Sequence, residues 1–214
     1  DAELVYKALG NVPHNLGYDK ATQTITGSSN IGAVRIDSIL RPYGLRVANL
    51  RDLSRPEVMN KVRGKHYTDS TSLVLISEKD DYERNNSIIK QLTDLVEEAN
   101  GNVKFPLLIT GFDYQPNQEN KDYGVKVIAR DDFRALHDDR LQGKSNGNKF
   151  TNVDEIGIPI FSKDGTRIFR IKGNGLSRLV LHSGGGLYAY WYDLGGSSAS
   201  GRVVVVSDGE AGAK

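Results

Sequence analysis

The chain has 214 residues, 38% hydrophobic and 26% charged, so it is long enough to bury a real core and lacks the composition of a disordered chain. Its 28 lysines and arginines nearly cancel its 27 aspartates and glutamates, and a net charge of +1 leaves no electrostatic footprint for nucleic acid. With no cysteine, disulfides, thiolate metal sites and cysteine nucleophiles are excluded.

Residues 1–30 read as an irregular lead-in with a hairpin, in which Leu16, Tyr18, Thr24 and Ile25 flank a short polar turn. Asn30 is expected to cap a helix with Ile31, Val34, Ile39 and Leu40 as its apolar stripe, ending before Pro42. Gly44 marks the turn into "LRVANL", and Ser54 with Pro56 predicts a helix start at "SRPEVMNKV". "SLVLISE", Ser72 to Glu78, reads as a buried strand. Ile88, Ile89, Leu92, Leu95 and Val96 then repeat at helical spacing, with Asn85 or Asn86 as the cap and Gly101 at the end. "KFPLLITGF" and "YGVKVIA" read as two more strands. "DDFRALHDDRL" predicts a short amphipathic helix around Phe133, Leu136 and Leu141, followed by a loop, "GKSNGNK". From Val153 the texture is β, and Asp164-Gly165 between "EIGIPIF" and "TRIFRIK" predicts a hairpin. Residues 209–214 read as a flexible tail.

No apolar run approaches the roughly 18 residues of a membrane span. No charged-plus-apolar leader is visible, so no signal peptide is expected; a cell-surface or virion location stays open.

Catalytic signatures are sparse. Ser70-Thr71-Ser72, leading into a strand, resembles the aromatic-Ser-Thr-Ser strand of ADP-ribosyltransferases. That resemblance implies a catalytic glutamate, for which Glu155 is the best available residue, and an arginine on an earlier strand, Arg46 or Arg51. Against it, Val153 stands where the family commonly has Glu or Gln, and the arginines lie close to the serines in sequence. His137, Asp138 and Asp139 are adjacent, whereas metal ligands on a helix converge at i, i+3 or i+4, so a solvated helix face accounts for them. "YQPNQEN" is similar to the calcium-and-sugar loop of some C-type lectins, but the companion Trp-Asn-Asp segment is missing and loop composition alone explains it. No motif calls for a cofactor.

The stretch Gly175–Val206, "GLSRLVLHSGGGLYAYWYDLGGSSASGRVVVV", is different in kind. Strand alternation puts Tyr188, Tyr190 and Tyr192 on one face and Leu187, Ala189 and Trp191 on the other. Tyrosine gives large amphipathic contact at low entropic cost, and serine and glycine give adaptable polar contact, which is the composition of antibody paratopes. An ordinary aromatic strand, covered on its other face by helices, is the plain alternative. The 29 residues from Gly175 to Val203 contain no Lys, Glu, Gln or Met, although those four types fill 29 of the other 185 positions. Apart from Trp191 and some leucines, every residue in that window is reachable from an asparagine codon by changing its adenines. Those positions include Ser177, Arg178, Val180, His182, Ser183, Gly184, Tyr188, Tyr190, Tyr192, Asp193, Ser198, Ala199 and Ser200.

This pattern resembles the variable region of diversity-generating retroelement proteins, in which adenine-specific mutagenesis rewrites codons near the C-terminus. The framework of Gly175-Leu176, Leu179, Leu181, Leu187, Trp191, Leu194 and "SGRVVVV" is similar too. "YGLRVANLRDL", Tyr43–Leu53, resembles the strand-to-helix transition of the C-type lectin fold, with Leu45 and Asn49 replacing its aromatic and threonine. The resemblance implies an α+β, C-type-lectin-like domain over residues 31–208, with helices, a mixed or antiparallel sheet and a β-rich C-terminal third. It implies a variable ligand-binding region at about 175–202, a buried final strand, and a non-enzymatic receptor- or adhesin-like role toward a protein or cell-surface ligand, at the positions just named. Two rivals are an ADP-ribosyltransferase-like enzyme and a structural surface or virion subunit whose aromatic strand packs on a neighbour.

Overall fold

The computed structural model describes residues 1–142 and 148–207; the tail 209–214 and most of the loop after Gln142 lie outside the described residues. The fold is mixed α+β. Among the described residues, eight strands form the main sheet in the order β6 (Val125–His137), β5 (Leu107–Pro116), β4 (Thr68–Leu75), β10 (Leu176–Leu181), β11 (Leu187–Trp191), β9 (Arg167–Ile171), β7 (Asn148–Val153) and β8 (Pro159–Phe161). Every pair is antiparallel except β9 with β11. Two further pairs stand apart, the hairpin of β1 (Gly17–Asp19) with β2 (Thr24–Thr26), and β3 (Leu45–Val47) with β12 (Val205–Ser207).

Helices cover both faces of the sheet, which is why its central strands read as continuous apolar runs rather than alternating ones. On one face, Ile31 and Val34 of α2 (Asn30–Leu40) and Ile88, Ile89, Leu92 and Val96 of α5 (Asn86–Asn100) pack on Leu73, Leu75, Ile109 and Leu176. On the other, Leu50 and Leu53 of α3 (Leu50–Ser54) and Val58 and Val62 of α4 (Pro56–Val62) pack on Val74, Leu179, Leu181 and Leu187. A third cluster seats α1 (Ala2–Ala8) and the hairpin against the outer side of α2 through Leu9, Leu16, Ile36 and Leu40.

Several local expectations are corrected. Ser29, not Asn30, caps α2, its hydroxyl accepting from the Gly32 amide; Asn30 is buried, donating to the Ser70 and Ser72 carbonyls and accepting from the Tyr114 hydroxyl. Ser54 closes α3 instead of opening α4, which begins at Pro56 with its fixed φ. Residues 131–137 are strand, not helix: Ala135 and His137 pair with Ile109 and Leu107, and β6 bends past a register shift where Gly111 sits at φ +71 against the Asp132 carbonyl. The segments around Asp164-Gly165 do not pair with each other. β8 and β9 flank β7, and the connection crosses over it, with Gly165 tight against the Phe150 backbone. In the final run of valines only Val206 is buried, and Val205 is exposed.

Candidate functional site

β11 departs from regular alternation. Arg178 pairs with Trp191 and Val180 with Tyr188, so Ala189 and Tyr190 together oppose Leu179. Such a bulge reverses the phase of the strand beyond it. Trp191 therefore leaves the core side that alternation assigns to it. Its ring and that of Tyr188 both lie against His182, at 6.3 and 4.5 Å between centroids.

Past the bulge, Tyr190, Trp191 and Tyr192 line a concavity of about 700 Å³ with Tyr67, Tyr82 and Arg178. Tyr190 is 55% exposed and Tyr192 47%. Tyr192 packs on Tyr82 with centroids 4.6 Å apart, beneath the Lys172 ammonium at 5.5 Å. Tyr67 meets Trp191 edge-on at 5.2 Å, and the Arg178 guanidinium lies 5.1 Å over the indole.

The wall is held from behind by buried polar groups. Asn85 stands at the N-cap position of α5, in line with the sequence, but its side chain makes no capping bond. Instead its amide donates to the Leu176 and Tyr192 carbonyls and to Asp80, while its oxygen accepts from the Tyr123 hydroxyl. Asp80 also accepts from Lys172 and from the Leu176 and Tyr82 amides. Burial pushes the Asp80 carboxyl up, but those bonds outweigh it and hold it below the usual carboxylate range. Arg178 is only 5% exposed; it donates to the Gly196 carbonyl and reaches Asp69. Burial raises the Asp69 carboxyl, opposed by Arg178 and Ser28. His182 is lowered from its ordinary value by burial and by Arg170.

The framework leucines Leu176, Leu179, Leu181, Leu187 and Leu194 are all buried. Of the positions singled out for binding, Tyr190, Tyr192, Gly184, Ser198, Ala199 and Ser200 are exposed, and His182, Ser183, Tyr188 and Asp193 are half-buried. Ser177 and Val180 are buried and present nothing outward, because β10 is covered on both faces. Arg178 lines the cavity but is itself buried. Ser183 and Gly184 lie in the β10–β11 turn, at the opposite end of β11 from Tyr192.

Tyr67 and Tyr82 complete the wall from distant segments. Tyr82 carried one legible signal, a lone aromatic within the polar run "EKDDYERNN". Ser70 and Ser72 are buried, and the Ser70 hydroxyl is spent on the Leu179 carbonyl. Glu155 lies beyond β7, four strand positions from the serines, in a cleft with Arg51 and Arg55. In the "YQPNQEN" loop, the side-chain oxygens of Asn117 and Asn120 accept from the loop's own amides. Among the described residues no three His, Asp or Glu side chains cluster to hold a metal, and no helix is long and apolar enough to cross a membrane. Comparison with protein-family models, curated proteins and solved structures finds no match for this chain.

Proposed function

We propose that this chain is a non-enzymatic binding protein, a C-type-lectin-like domain of the variable-protein type that presents the aromatic wall of β11 to a protein or cell-surface ligand. The observation that carries this reading is the concavity lined by Tyr190, Trp191 and Tyr192 on a scaffold whose framework leucines are buried. The exposed Tyr190 and Tyr192, near the exposed Ser198 and Ser200, form a recognition surface whose side chains do little for the core. The lectin-like assignment is supported by the antiparallel pairing of β3 with β12, which sets the Tyr43–Leu53 segment beside the end of the described chain.

Sequencing of the encoding locus tests the reading. A near-copy of the codons for residues 175–206, beside a reverse transcriptase gene and differing only at adenines, is the expected result. Absence of any such copy overturns the variable-protein assignment.

A further inference from the structure

A second cavity, of about 330 Å³, lies between α4, β7 and the β10–β11 turn, remote from the aromatic wall. Two arginines meet there. Arg167 is 8% exposed and its guanidinium lies 4.5 Å over the Phe150 ring. Its Nε donates to the Gly185 carbonyl at 2.7 Å, and its Nη2 is buried with no acceptor among the described residues. Arg63 flanks the same glycine: a Cβ added at Gly185 would lie 3.8 Å from Arg63 Nε. Burial and the neighbouring Arg63 charge push the Arg167 guanidinium down to about 10.

The rest of the lining is donor-rich. Ser54, whose hydroxyl is buried without a partner among the described residues, lines the cavity with Thr151, Asn152 and Thr166. Asn152 uses its oxygen on the Val153 amide, leaving its NH₂ to donate. Among the described residues, no carboxylate lines the cavity. Two like charges, one of them desolvated, are unfavourable together unless an anion joins them. A guanidinium fork with hydroxyl and amide donors around it matches the oxygens of phosphate or carboxylate.

We propose that this cavity is a binding site for a small oxyanion, the phosphate or carboxylate group of a soluble molecule, held between Arg63 and Arg167. The site is separate from the aromatic wall, and its occupancy does not depend on what that wall binds.

The test is calorimetric titration and thermal unfolding of the whole chain with inorganic phosphate, with acetate, and with chloride at equal ionic strength. Saturable binding of phosphate or acetate is expected, with a rise in Tm beyond that in chloride. The preferred anion tells phosphate from carboxylate chemistry. Arg63→Gln, at an exposed position that folding tolerates, is expected to weaken binding about tenfold, the lower end for a charge-assisted hydrogen bond. Arg167→Lys keeps the charge but loses the fork, and is expected to weaken it further. Absence of saturable binding by either anion, or binding unchanged in Arg63→Gln, would overturn the proposal.

Discussion

The guanidinium of Arg178 approaches the Asp69 carboxylate at 3.4 Å inside the sheet, where both side chains are almost entirely closed to solvent. The pair joins β10 to β4 at the point where their register shifts. Arg178 also ties the strand to the Gly196 carbonyl, so the residue beneath the aromatic wall is part of the scaffold.

Replacing Arg178 by alanine therefore leaves a buried carboxylate without its counter-charge, a change that costs about 3–5 kcal/mol. Urea unfolding of Arg178→Ala checks this. Adding Asp69→Asn to that variant is expected to recover part of the loss, because the two substitutions act on one interaction.

Tyr190 behaves in the opposite way. Its ring is more than half exposed, and Tyr190→Ala is expected to change stability by no more than about 0.5 kcal/mol. Tyr192→Ala loses the contact with Tyr82 and is expected to cost about 0.5–1.5 kcal/mol. Denaturant midpoints of the two variants, measured beside Arg178→Ala, separate display positions from supporting ones.

Asn85→Ala removes the link that fixes the ends of β10 and β11. It leaves the Leu176 and Tyr192 carbonyls and the Tyr123 hydroxyl short of partners, for an expected loss of about 3 kcal/mol. Unfolding measurements give the energy. Faster amide exchange around Tyr192 would show that the wall itself has loosened.

Stability should also fall on mild acidification. The folded state holds His182 and His14 below the ordinary imidazole value of about 6.5, so it binds fewer protons than the unfolded chain. Their contribution is complete above that value and is lost as pH drops through the lower folded values. Tm followed from about pH 8 to about pH 5 should decline, and His182→Gln should flatten the decline without abolishing it, because His14 remains.

At Gly111 the backbone is left-handed, and an added Cβ would lie 2.1 Å from the Asp132 carbonyl oxygen. Gly111→Ala is expected to cost at least about 2 kcal/mol, since neither strand can move away without breaking the ladder. Thermal unfolding of that variant measures it.

Helix α5 was legible because Ile88, Ile89, Leu92 and Val96 repeat on one face and Gly101 ends it in a left-handed turn. Residues 131–137 were not, because Phe133 and Leu136 carry a helix-like spacing that pairing with β5 overrides. The tyrosines of β11 were visible as a composition, but their phase was not. The extra residue that turns Trp191 outward lies opposite Leu179 on the neighbouring strand, and no local pattern encodes it. Tyr67 and Arg167 reach their sites through tertiary packing alone.

The concavity at the end of β11 has a consequence for what the surface can express. A regular strand offers a partner every second side chain, so three neighbouring contacts are spread over about five positions. Here Tyr190, Trp191 and Tyr192 line one cavity in unbroken succession. The vocabulary of the wall is written in adjacent letters, and a change confined to one short word of sequence rewrites what it can recognise.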